Sequence, residues 1–102
     1  MKNIVTLAKV LSDVNRVKIL ALLTKNSELC VCEICDTLDI SQPLVSRHLK
    51  QMKEIGLILS RQEGKWMLYM LNTVEQNNLT VCCFNEIKKS IHQLPKLITC
   101  KR

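Results

Sequence analysis

The stretch from Val31 to Gly56 constrains the fold most tightly. Two short helix-forming runs are separated by Asp39-Ile40-Ser41, enough chain for a tight turn and little else. The first run, about residues 31–38, carries Glu33 in its opening turns, where a carboxylate suits the positive end of a helix. Ser41 offers a cap for the second run, and Pro43 falls in its first turn, where a missing N–H costs nothing. Gly56 suits a left-handed stop. Residues advance about 100° each around a helix, so Val45, Leu49 and Met52 share one face, which must point inward. His48 lies at the edge of that stripe. Two helices joined by so short a turn read as a helix-turn-helix over about residues 31–56.

The flanks complete a small domain. Upstream, Ile4, Leu7, Ala8 and Leu11 recur at helical spacing. Ser12-Asp13 can cap a second helix that turns Val14, Val17, Leu20, Ala21 and Leu23 inward and ends at Asn26-Ser27. Downstream, 57–61 and 66–71 are strand-like runs about a turn containing Gly64, a β-hairpin over about 57–71. Beyond Asn72-Thr73, Cys83, Ile87, Ile91, Leu94 and Ile98 form one apolar stripe, interrupted near Pro95. This predicts a dimerisation helix over about 74–98. The expectation is a single domain over residues 1–102, mainly α with a small β-hairpin, a winged helix-turn-helix. A chain of 102 residues with three aromatics builds only a modest core, so a homodimer is expected.

Charge narrows the partner. Fifteen Lys and Arg against nine Asp and Glu give +6 per chain, which favours a polyanion. On the second helix, Arg47 and Lys50 lie opposite the core face, flanked by Leu44 and Ser46, with Ser41 and Gln42 at its start. Guanidinium, hydroxyl and amide groups suit base edges and phosphates, and recognition helices commonly read bases from their N-terminal end. Leu44 suits a thymine methyl. Arg61, Gln62 and Lys65 bring the wing to the adjacent backbone. Double-stranded operator DNA is therefore the expected partner. No apolar run approaches a membrane span, and the N-terminus lacks a secretory pattern, so a cytoplasmic protein without a membrane partner is expected.

The cysteines supply the second theme. Cys30, Cys32 and Cys35 fall within six residues at the start of the helix-turn-helix. A disulfide framework fits poorly: bridges between cysteines so close, or within the adjacent pair Cys82-Cys83, are strained. Reduced thiols acting as soft ligands are the better account. Cys32 and Cys35 share a helix face, whereas Cys30 lies about 200° round from Cys32. Three sulfurs therefore meet one ion only if the helix begins after Cys30 or its first turn unwinds. Three thiolates without a fourth partner suit As(III) or Sb(III), which bond three sulfurs in a pyramid. Zinc needs a fourth ligand, which the other protomer could supply. Cys82, Cys83 and Cys100 form a candidate second site, although Cys83 lies on the apolar stripe. Catalysis is not expected, since Glu33 and Asp36 are the only acid–base groups near the motif thiols and leave the DNA-reading face unexplained. A thiol redox sensor needs depressed thiol pKa values, for which only Lys25 and a helix N-terminus are at hand.

The run Glu28-Leu29-Cys30-Val31-Cys32-Glu33-Ile34-Cys35, then Ser41 to Leu49, then the wing from Gly56 to Leu71, resembles the arsenical-resistance repressors of the ArsR/SmtB family. The likeness covers about residues 7–71. It implies a dimeric winged-helix repressor of a metalloid-resistance operon, released by As(III) or Sb(III) at Cys30, Cys32 and Cys35. Cadmium and lead sensors of the family add cysteines from an N-terminal extension, and this chain has none before Cys30. Zinc sensors use Asp and His pairs on the last helix, where this chain has only His92. The tail cysteines and Leu44 depart from the family pattern.

Overall fold

A computed structural model describes residues 2–73, 78–89, 95, 97 and 98. The element order is α1 (Lys2–Leu11), α2 (Val14–Lys25), β1 (Leu29–Cys30), α3 (Val31–Leu38), α4 (Gln42–Glu54), β2 (Ile58–Glu63), β3 (Trp66–Leu71) and α5 (Asn78–Lys89).

Helix α2 is the centre of the domain. Asp13 caps it, its carboxylate accepting the backbone N–H groups of Asn15 at 2.8 Å and Arg16 at 3.3 Å. The five consecutive residues Ile19–Leu23 are all buried, as in a helix covered on every side rather than along one stripe. Val14 is exposed, contrary to the expected inward pattern, because it lies on the outer side of a turn whose Asn15, Arg16 and Val17 are half-buried. In α1, Leu7 and Val10 are buried while Ile4, Val5 and Ala8 face outward, so the core stripe lies one position round from the expected one. Helix α5 packs on α2 through Phe84 and Ile87.

The sheet has three antiparallel strands in the order β1-β3-β2. The hairpin β2–β3 is the expected wing, with Glu63 opposite Trp66 across a two-residue turn in which Gly64 adopts φ +60°. That backbone favours glycine because it has no Cβ to clash. Strand β1 adds a rung that the sequence pattern did not suggest: Cys30 pairs with Leu68, and Leu68 pairs with Arg61.

The last segment departs from the expected helix over 74–98. Helix α5 is described from Asn78 to Lys89, whereas Pro95, Leu97 and Ile98 are not helical. Ile98 returns to α3, its backbone N–H donating to Thr37 Oγ1 at 2.9 Å. Ile91, His92, Leu94 and Cys100 lie outside the described residues. Among the described residues no helix is long and apolar enough to cross a membrane.

Candidate functional site

Helices α3 and α4 meet across Asp39, which closes α3 in the left-handed region at φ 54°. An aspartate tolerates that backbone because its short polar side chain can bond locally. Ser41 occupies the cap position of α4, but its hydroxyl makes no capping hydrogen bond, so the expected side-chain cap is not formed. Val45, His48, Leu49 and Met52 are buried. Ser41, Gln42, Ser46, Arg47 and Lys50 are exposed together, and Leu44 is half-buried beside them. These side chains thus share the outward side of α4.

The wing residues are less available than their exposure suggests. Arg61 donates from Nε and Nη2 to both carboxylate oxygens of Glu28 and from Nη2 to Glu63 at 3.3 Å. Gln62 donates to the Gly64 carbonyl at 3.2 Å. Lys65 Nζ lies 5.5 Å from the centroid of the Trp66 ring, a cation–π contact at the wing tip. Glu28 escaped the sequence reading because 33 residues separate it from Arg61.

His48 links α4 to the start of α2. The ring is buried, neither nitrogen makes a hydrogen bond of normal geometry among the described residues, and Nε2 lies 4.0 Å from Asp13 Oδ2. Burial holds its pKa below the ordinary histidine value; Asp13 and the nearby Gln51 side chain oppose this, while Arg16 and Arg47 reinforce it. The fold therefore prefers the neutral ring. Above the ordinary pKa of about 6.5 the ring is neutral in both states and contributes no pH dependence. Below it the unfolded chain takes the proton first, and stability falls until the folded ring also charges. We expect wild-type Tm to drop between pH 7.5 and 5.5 by more than that of His48→Leu. Parallel curves for the two proteins would remove His48 from this role.

Two of the three motif sulfurs meet at the N-terminus of α3. The helix begins after Cys30, which is its extended N-cap at φ −86° and ψ 165°. This removes the helical phase conflict, and Cys30 Sγ comes within 3.0 Å of Cys32 Sγ. The buried carboxylate of Glu33 accepts the Cys30 N–H at 3.0 Å, half of a capping box in which cysteine replaces the usual serine. A depression of about 290 Å³ between α3 and the wing is lined by Cys30, Cys32, Gln42 and Trp66. A second, of about 610 Å³ on the other side, is lined by Cys32, Cys35, Asp36 and Gln42. Cys32 thus borders both, with Cys30 on one side and Cys35 on the other. Among the described residues no three ligating side chains converge closely enough to hold an ion as they stand.

Burial pushes the Cys30 thiol above its ordinary pKa; the Glu33 backbone N–H opposes this, while the Glu33 carboxylate adds to the rise. Burial likewise raises Cys35, helped by Asp36 and Cys30. Cys30, Cys35, Cys82 and Cys83 are free thiols, so the strained local bridges are absent. Cys32 is half-buried at the junction of the two depressions. In the candidate second site Cys82 is exposed and Cys83 half-buried at the edge of the core.

A helix-turn-helix with a basic reading face, backed by a β-hairpin wing, defines a winged helix-turn-helix transcription regulator. Residues 13–60 match the family described as bacterial regulatory protein, arsR family. The arsenical resistance operon repressor of Escherichia coli K12 is 48% identical over 68 residues, covering 67% of this chain and 58% of that protein. The cadmium resistance regulatory protein CadC of Listeria innocua is 39% identical over 71 residues, covering 70% and 60%. This chain therefore spans less than two thirds of either relative's length. Among solved structures, HlyU from Vibrio cholerae N16961 superposes with a TM-score of 0.67 at 30% identity, covering 89% of this chain and 86% of that one. The chain belongs to the ArsR family of bacterial regulatory proteins.

Proposed function

We propose that this protein is a homodimeric repressor that holds operator DNA through α4 and the wing and releases it when As(III) or Sb(III) takes the thiols of Cys30, Cys32 and Cys35. The observation that carries the reading is the 3.0 Å approach of Cys30 and Cys32 sulfurs at the start of the first reading helix. Cys35 lies on the far side of Cys32 and must be drawn in to complete a three-sulfur pyramid, with Cys32 reduced. Drawing it in deforms α3, the helix that seats α4. On the DNA side Ser41, Gln42, Leu44, Ser46, Arg47 and Lys50 face the groove, and Arg61, Gln62 and Lys65 the flanking backbone. The outward apolar side chains Ile4 and Val5 of α1 and Val81 of α5 supply surface for a second copy. Cys82, Cys83 and Cys100 remain a candidate accessory thiol site.

The raised thiol pKa values distinguish the inducers. Arsenous acid and three thiols exchange three As–OH and three S–H bonds for three As–S bonds and three waters, with no net proton release. A divalent ion on the same thiols must expel a proton from each, so its affinity climbs steeply with pH. Between pH 6.5 and 7.5 the arsenite half-point for DNA release is expected to move by less than about threefold, while cadmium binding gains about tenfold or more. An arsenite half-point as steep as that of cadmium would contradict binding to protonated thiols.

A thiol-oxidation response is the second reading, favoured by the 3.0 Å approach of the Cys30 and Cys32 sulfurs. The raised pKa values of Cys30 and Cys35 weigh against it, because the thiolate is the form that oxidises. DNA release by peroxide alone, reversed by reductant, would support this alternative.

A further inference from the structure

We infer that Glu28 is a positioning residue that ties the thiol segment to the wing, so that filling the thiol site resets Arg61 as well as the helix-turn-helix. The inference rests on the proposed thiol-inducer reading. Glu28 immediately precedes β1, two residues before Cys30. Its carboxylate reaches over β3 to Arg61 on β2, Nε meeting Oε2 and Nη2 meeting Oε1 at 3.0 Å. A forked carboxylate–guanidinium pair fixes both distance and orientation, which a single ion contact does not. Beneath it the sheet makes a second connection, the rung running from Cys30 through Leu68 to Arg61.

Arg61 is thus attached to the Cys30 segment twice, by side chain and by backbone. Cys30 cannot shift toward an ion shared with Cys35 without moving the start of β1, and Glu28 moves with it. Glu63 stands ready as a second carboxylate on the same guanidinium. Carboxylate and phosphate compete for one fork, so the position of Glu28 decides how far Arg61 can turn to DNA. The side chain of Arg61 is 48% exposed and that of Glu28 29% exposed. Such a pair contributes little to stability, and its value lies in placement.

The test uses the full chain under reducing conditions and a DNA duplex selected on the inducer-free protein from a random pool. Operator affinity is measured by anisotropy with and without saturating sodium arsenite. Arsenite binding is followed separately by emission of Trp66, the only tryptophan, which lines the depression with Cys30 and Cys32. In Glu28→Gln the arsenite-induced drop in affinity is expected to shrink by about fivefold, with the arsenite half-point and Tm unchanged. Glu28→Asp keeps the charge but not the reach and is expected to lose about as much. In an Arg61→Gln background, Glu28→Gln is expected to add nothing further. An undiminished drop in Glu28→Gln overturns the inference and leaves the inducer reading intact. Wild-type protein that binds arsenite yet keeps its DNA overturns the inducer reading, and this inference with it.

Discussion

Replacing Cys32 with serine is expected to abolish the response to arsenite while leaving operator affinity near that of the reduced wild type. Cys32 borders both depressions and is the one motif cysteine that lines a cavity with each of the other two. Without it, Cys30 and Cys35 have no bridging sulfur, and no ion can pull them together. Serine is almost isosteric at this half-exposed position, so DNA affinity should stay within about 0.5 kcal/mol of wild type. Variant and wild type are compared in reductant. Anisotropy titrations with and without arsenite give both quantities. Loss of DNA binding in the variant would assign Cys32 a structural role. Retained release would require a ligand set that excludes it.

The largest expected effect on stability comes from Leu49→Ala. Leu49 is fully buried on the inner face of α4, in the same apolar cluster as Ile19, Leu20, Ile34 and Ile58. Its removal opens a cavity in a core of modest size, and such truncations cost about 2–5 kcal/mol. For a domain of this length that lowers Tm by roughly 10 °C or more. Ser46→Ala, exposed on the opposite face, should change stability by less than about 0.5 kcal/mol. Equal melting curves for the two variants would mean that α4 does not present the faces described here.

The residues that declare these faces are local, which is why they were legible in the sequence. Val45, Leu49 and Met52 repeat at helical spacing and are buried together; Asp13 precedes an apolar run and caps it. The hairpin announced itself through two strand-like runs about Gly64. Strand β1 did not, because two residues are too short to show alternation, and Leu29-Cys30 reads equally well as a helix lead-in. That strand nevertheless decides the thiol geometry: by holding Cys30 extended, it turns the sulfur toward Cys32. Arg61 was legible as a basic wing residue, but its engagement with Glu28 depends on the β1-β3-β2 order, which no local pattern encodes. Val14 and Ile4 fit their helical stripes and are exposed, since periodicity identifies a face without revealing where its cover ends.

The most direct measurement is a DNA-release titration of the reduced wild-type protein, run in parallel with arsenite, antimonite, cadmium and zinc on a duplex selected from a random pool. The thiol geometry predicts release by arsenite and antimonite at low concentration, with cadmium and zinc far less effective. Release by cadmium or zinc, with arsenite inert, would contradict the three-sulfur metalloid site and point to a fourth ligand supplied by the second protomer.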